Sequence, residues 1–272
     1  MVTENLRKPL RLLCISCEVL ARPVYLCAAQ SPHIVDVELV KRGLHNQPTD
    51  LRALLQEKVD TAQSPAYDAV LLAYGLCGQA TAGLVAGKLP VVIPRAHDCI
   101  TLFLGSRHRY QDQFENKPGT YWYAQDYIER DDGSGSALSM GSGSDTDLQT
   151  VYDEYVEKYG KDNADYLMEV MGAWQSHYQR AVYIDMGLGD GTAVEARAQA
   201  EAARRGWVFE RMAGDMVIIR RLISGDWQTD PDNDFLVLQP GQQVVMTYDE
   251  NVIGCISPPT EKFPNIPQGA QK

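Results

Sequence analysis

The chain has 272 residues, enough for one large α/β domain or two small ones, and a single core of that size buries roughly 75% of the unfolded surface without needing disulfide staples. A hydrophobic content of 44% and a charged content of 22% exclude a disordered or collagen-like chain for the bulk of the sequence. With a net charge of −11 and a pI near 4.9, the surface repels a phosphate backbone, so no nucleic-acid partner is expected.

The first 110 residues alternate short β-rich runs with helical patterns, which predicts βαβ units on a parallel sheet. Strand one is read at Leu10 to Ser16, followed by a helix over Glu18 to Gln30 and a second, alternating strand, IVDVELV, at Ile34 to Val40. Pro48 opens the next helix, where its missing N–H is harmless, and Leu51, Leu54, Leu55 and Val59 share one face. AVLLAY, Ala69 to Tyr74, is an unbroken apolar run suited to a buried central strand. GLCGQATAGLVAG then reads as a turn and a helix, PVVIP as a fourth strand, and Asp98 as the N-cap of a helix beginning ITLFLGS.

Residues 111–150 change character, with an aromatic stretch, GTYWYAQDY, followed by the Gly/Ser-rich DDGSGSALSMGSGSD. That piece holds almost no apolar anchors, and Asp131 to Ser144 is expected to be a mobile loop. A helical pattern resumes at Asp147 and runs to Trp174. From there AVYIDMGLGDGT and AVEARAQAEAARRG make a strand, glycine loop and helix, and WVFERM, MVIIRRLIS and DFLVLQPGQQVVM complete residues 151–250 as a C-terminal α/β half. Residues 251–272 read as an extended tail. The expected architecture is a mainly parallel, Rossmann-like sheet with helices on both faces, open to division into two pseudo-halves at 1–110 and 151–250.

No apolar run approaches the ~20 residues needed to span a bilayer, and MVTENLRKPLRLLCISC lacks the apolar core and cleavage site of a signal peptide. A cytoplasmic protein without a membrane partner is expected, and thiols there stay reduced. The six cysteines, five of them within the first 99 residues, are therefore core residues, ligands or redox groups.

In a parallel sheet every strand delivers its carboxyl end to one rim, where ligands bind. Cys17, His45, Cys77 and Cys99 each follow one of the first four strands, so the topology gathers residues from distant parts of the sequence. Three thiolates and an imidazole suit a Cys₃His zinc site, and three cysteines alone suit a [4Fe-4S] cluster with one open iron. The competing reading makes each cysteine a small buried hydrophobe. His97, two residues before Cys99, is the rival fourth ligand or a hydrogen-bonding neighbour of a sulfur. Arg95 shares that rim and could face an anion, and Glu18 complements a helix start. Cys14 and Cys17 form a C-x-x-C, which also admits a thiol oxidoreductase, although Cys14 lies mid-strand and Cys27 on an apolar helix face. Gly187, Gly189 and Gly191 lie in a strand-to-helix loop whose free N–H groups could hold a phosphate or carboxylate, or simply make a tight turn. His33, His108 and His177 have no ligand-type neighbours and are given no role.

At LHNQP, YGLCG and HDCITLFLGS, and again at PGTYWYAQ, EYVEKYGKDNADYLME, GDMVIIRRLISGDW and DFLVLQPG, the chain resembles the family known as domain of unknown function 1638, from about residue 10 to about residue 240. The resemblance implies cysteine patterns at Cys17, Cys77 and Cys99, a histidine pattern at His45, and an insertion around Gly133 to Ser144. It also implies a setting in one-carbon methyl metabolism, beside corrinoid-dependent methyl-transfer proteins. The leading expectation is a metalloenzyme or accessory protein holding zinc or an iron–sulfur centre, with a small-molecule substrate or a corrinoid protein as partner and a corrinoid as a further candidate cofactor. A non-enzymatic carrier of metal or corrinoid docking on a methyltransferase is the second expectation, and a thiol oxidoreductase the third.

Overall fold

A computed structural model of the chain describes residues 8–44, 47–62, 64–130, 152–153, 156–157, 159–165 and 178–257. The first strand, β1 (Arg11–Cys17), is buried along nearly its whole length, as expected of an apolar run covered on both faces. A 3₁₀ turn over Glu18–Leu20 leads into α1 (Ala21–Gln30), and β2 (Ile34–Val40) alternates more and less exposed residues as the edge strand. Pro48 starts α2 (Pro48–Thr61), whose Leu51, Leu55 and Val59 are buried at helical spacing. After β3 (Ala69–Ala73) and β4 (Val91–Pro94) come the short α3 (Cys99–Leu104) and the exposed α4 (Arg107–Asn116).

Strands β1 to β4 pair in parallel in the order β2-β1-β3-β4, and β8 (Phe235–Leu238) is added antiparallel on β4. Fold class is thus mixed α/β with a mostly parallel central sheet. Even and odd residues of these strands face different cores. Leu12, Cys14, Leu71 and Val92 pack under α1, α3 and a late helix, α7 (Val217–Ile223). Leu13, Ile15, Val70, Leu72 and Ile93 pack under α2, the loop from Leu76 to Leu89, and the hairpin of β9 (Gln243–Met246) and β10 (Ile253–Ile256).

A second, three-stranded parallel sheet holds β5 (Thr120–Ala124), β6 (Arg180–Asp185) and β7 (Val208–Ala213), in the order β5-β6-β7. Its Ala124, Val182 and Ile184 join the first core, while its other face is covered by α6 (Thr192–Arg205) through Val194, Ala198 and Ala202. Between β5 and the rim of the central sheet lies α5 (Gln125–Glu129).

One expectation needs correcting. The stretch after β3 forms no helix: Cys77, Gly78, Gln79 and Gly83 have φ of 46°, 63°, 73° and 89°, which a right-handed helix cannot contain, and turns run from Leu76 to Leu84 instead. The aromatic stretch, assigned no element from the sequence, holds two: TYWYA is β5 and QDYIE is α5. Of the helix read over Asp147 to Trp174, residues 152–153, 156–157, 159 and 161–165 are helical. The Gly/Ser-rich segment from Asp131 to Ser144, most of the tail, His45 and His177 lie outside the described residues. No helix among the described residues is long and apolar enough to cross a membrane.

Candidate functional site

The winding of the central sheet reverses between β1 and β3, because α1 carries the chain outward to β2 and α2 carries it back across the other face. Open α/β sheets bind ligands at such a point, outside the carboxyl ends of the strands. Cys17 is the last residue of β1, and the pairing of Ser16 with Ala73 brings it alongside Tyr74. Beyond the strands the ladder continues, with the N–H of Leu76 donating to Ala96 O (2.8 Å) and that of Cys77 to His97 O (2.9 Å). The YGLCG and RAHDC loops therefore run side by side. Gly75 permits it, because a Cβ there would stand 2.7 Å from the Asp98 backbone nitrogen.

Asp98 then turns the chain into α3. Its Oδ1 accepts from the N–H groups of Ile100 (2.9 Å) and Thr101 (3.4 Å), and its Oδ2 accepts from the Tyr110 hydroxyl (3.2 Å). The expected N-cap is present, and it sets Cys99 at the first position of the helix.

Cys17, Cys77 and Cys99 line one cavity of ≈ 300 Å³ together with Tyr74 and Asp98. Its remaining walls are largely apolar, including Val19, Leu20, Leu51, Ile100, Leu102 and, from α5, Tyr127. Lys41 stands at the same cavity and at a neighbouring one of ≈ 460 Å³ beside Arg42 and Lys58. Glu18 accepts from the N–H of Arg42 (2.7 Å), which ties the end of β2 to the end of β1 rather than serving the helix dipole alone.

Burial pushes the Cys17 thiol up to about 11, against the pull of the Val19 N–H and the Tyr74 hydroxyl beside its sulfur. Cys77 is raised by burial and then by Asp98 and Cys17, against the Gly75 N–H. Cys99 is raised well above the ordinary thiol range by burial, Asp98 and the other two cysteines, against the pull of its own N–H. Each sulfur thus has a backbone N–H that favours the thiolate, while the low-dielectric surroundings keep the proton on. All three cysteines are half-buried, with Arg42 favouring the Cys17 thiolate and Lys41 at the cavity, yet desolvation outweighs these pulls.

Tyr74 is the residue the sequence reading missed. It is 3% exposed, and its hydroxyl makes no hydrogen bond of good geometry although it lies beside the Cys17 sulfur. A buried hydroxyl left unpartnered costs about 1–3 kcal/mol. The signal lay in its position directly after β3, in register with Cys17, which emerges only once strand pairing is known.

Other expected site residues lie elsewhere. His97 is exposed and stacks on Tyr110 (centroids 5.4 Å apart), at a separate cavity with Phe114 and Tyr248, because Tyr110 is anchored on Asp98 and holds the ring there. Arg95 turns its guanidinium to the Ile253 and Asn251 carbonyls, fastening the β9–β10 hairpin instead of facing an anion. The glycine loop is braced from within and from α5: Asp190 Oδ1 accepts from the Thr192 N–H (3.1 Å) and hydroxyl (2.6 Å), and Gln125 Nε2 donates to Asp190 O. Gly187, whose N–H donates to Asp185, has a φ of +65° with open space beside it, whereas a Cβ at Gly189 would crowd Gln125 and one at Gly191 would meet the Tyr183 hydroxyl, so a left-handed turn and close packing account for these glycines.

Cys14 and Cys17 occupy one extended strand three residues apart, at ~10 Å of rise and on opposite faces. That exceeds the reach of a disulfide and removes the dithiol reading while β1 is intact. Cys14 and Cys27 belong to the core, as expected. Among the described residues, no three His, Cys, Asp or Glu side chains stand close enough together to form a ready metal cage.

No curated protein and no solved structure matches the chain. A family model described as protein of unknown function (DUF1638) matches residues 39–223, a span that includes Cys77 and Cys99 and begins after Cys17. Since that span takes in β3, β4, the whole three-stranded sheet and most of the sequence, the chain belongs to the DUF1638 family.

Proposed function

We propose that this protein is a thiolate–metal protein in which Cys17, Cys77 and Cys99 hold a zinc ion or an iron–sulfur centre at the switch point of a Rossmann-like sheet, with His45 as the candidate fourth ligand. The observation that carries it is the delivery of three thiols, from the ends of three adjacent strands, to one cavity where each sulfur has a backbone N–H beside it. Three sulfur donors suit either centre, and a thiolate is the form that binds. Asp98 is satisfied by two N–H groups and a tyrosine hydroxyl, so its part is to hold Cys99 rather than to bind.

When bound, zinc would supply Lewis-acid activation of a substrate thiol, and a cluster would supply an open iron or an electron. The chain's own contribution is a largely apolar pocket: Val19, Leu20, Leu51, Ile100 and Leu102 line it beside the half-buried cysteines and leave room for a small substrate. On the strength of the family resemblance, we place this chemistry in one-carbon methyl metabolism, with a corrinoid protein as the proposed partner.

Anaerobic purification followed by metal and sulfide analysis tests the proposal. About one zinc per chain in a colourless protein, or iron with sulfide in a brown one, is the expected result. Cys77→Ser and Cys99→Ser should each lower the metal content sharply, whereas Cys27→Ser, a change in the core, should leave it intact. Full occupancy in both site variants would refute the metal reading.

A further inference from the structure

Away from the thiols, a cavity of ≈ 340 Å³ lies between the RAHDC loop, α4 and the turn that joins β9 to β10. Three of its rings form a row: His97 stacks on Tyr110 (centroids 5.4 Å apart, planes 20°), and Tyr110 on Phe114 (6.3 Å, 12°). Tyr110 and Phe114 are four residues apart on α4 and so share a face, and the Tyr110 hydroxyl is anchored on Asp98. Tyr248 brings a fourth ring from the turn. Phe114 is 72% exposed and Tyr248 95%, so neither ring is spent on the core. One exposed ring would need no explanation, but four rings gathered at one cavity do.

The charge around these rings is negative. Arg107 is committed to Asp234 and to the Glu250 and Asp232 carbonyls, while Glu115, Asp249 and Glu250 bring exposed carboxylates to the same cavity. Glu115 accepts from the Gln111 amide (2.7 Å), and Asp249 from the Thr247 hydroxyl and the Asn251 N–H (2.9 Å each), all neutral donors that leave the charge in place. Among the described residues no three acidic, His or Cys side chains stand close enough to cage a metal, so these carboxylates set a field around the rings rather than a point site. That field repels a phosphate or carboxylate ligand. A quaternary ammonium group suits it, because its charge is spread over methyl groups, is weakly hydrated and is drawn to ring faces. We propose that this cavity binds the quaternary ammonium group of a free small molecule, seated on Phe114 and Tyr248 with Glu115, Asp249 and Glu250 as counter-charge. Tyr110 lies between two stacked neighbours, which leaves the outer rings as the open faces. The cavity's volume is at the lower end for ligand pockets, which fits a small molecule better than a chain segment. The site is independent of whatever the thiol cavity holds.

The test titrates the full chain with choline and follows saturation transfer to the choline methyl protons. Saturable binding is expected. Phe114→Leu and Tyr248→Leu should each weaken it about 2- to 5-fold, the loss of one exposed cation–π contact. Glu115→Gln should weaken it too and make it less sensitive to salt. These side chains are exposed, so the variants keep the fold. Tyr25→Leu, an exposed ring on α1 outside the cavity, should change nothing. The neutral isostere of choline, with a quaternary carbon in place of the nitrogen, should bind much more weakly, as should phosphocholine, whose phosphate meets the carboxylates. Absence of saturable choline binding overturns the proposal, and so does wild-type affinity in the Phe114→Leu, Tyr248→Leu double variant. An isostere that binds as well as choline would make the cavity a plain apolar patch, and phosphocholine binding as tightly as choline would remove the charge complementarity; either result overturns it.

Discussion

Gly75 shows how much of the site depends on a side chain that is not there. The YGLCG loop crosses so close to the Asp98 backbone that a Cβ would lie 2.7 Å from one atom and 2.8 Å from the next, and the obstruction is main chain, which cannot swing aside. Gly75→Ala should therefore push the two cysteine loops apart and destabilise the protein by about 1–3 kcal/mol, as overpacking does. Urea unfolding checks the stability, and metal content of the same sample checks the site; wild-type values for both would show that the loops can separate freely. Cys77 carries its own strain, at φ 46°, in a region that non-glycine residues enter only when the surroundings hold them there. Here the holding contact is the bond from its N–H to His97 O.

At the scale of elements, α3 is only a short helix, and its start is fixed by one carboxylate. Asp98→Ala removes the acceptor for two N–H groups and strands the Tyr110 hydroxyl, so a loss of about 1–3 kcal/mol is expected, together with a weaker hold on the metal through a displaced Cys99. Asp98→Asn keeps an oxygen for the cap and should recover most of both. Equal damage from the two variants would mean that the charge matters more than the cap. The helix α5 has a comparable latch: Asp126, 4% exposed, accepts from the backbone N–H and the guanidinium of Arg22 and from Arg130, and so ties the second sheet to the start of α1 beside the cavity. Tyr127 reaches the cavity wall from that latch, which makes the second sheet a contributor to the site rather than a separate body.

Across the whole molecule, the chain closes the first sheet with its last third. Strand β8 covers the edge of β4, and Leu236, Leu238, Val244 and Ile253 complete the core on the α2 side. Arg221 bridges Asp230 and Asp234, and Arg107 joins Asp234 from α4, so the return of β8 is pinned from two helices. Ending the chain after Asp230 should expose the β4 edge and a large apolar surface, with loss of cooperative unfolding in circular dichroism and gain of dye binding. A truncated chain that still unfolds in one sharp step would show that residues 1–230 are self-sufficient.

Local chemistry was enough to read several features from the sequence. The apolar runs located β1, β3 and β4, the proline located the start of α2, and Asp98 announced its cap, because each depends on near neighbours alone. The convergence of Cys17, Cys77 and Cys99 was also legible, since parallel strands must send their ends to one rim. What escaped needed distant partners. Left-handed residues at 77 to 79 replaced a helix whose composition looked acceptable, because the ladder to the RAHDC loop outweighed local propensity. His97 and Arg95 lay on the right rim by topology but were claimed by Tyr110 and by the C-terminal hairpin, neither of which is near them in sequence. Tyr74 read as the last residue of an apolar strand, and only the register with β1 set its hydroxyl against the Cys17 sulfur. Sequence periodicity fixes which way a side chain faces along its own strand; which atom it meets there is decided by pairing and packing between segments far apart in the chain.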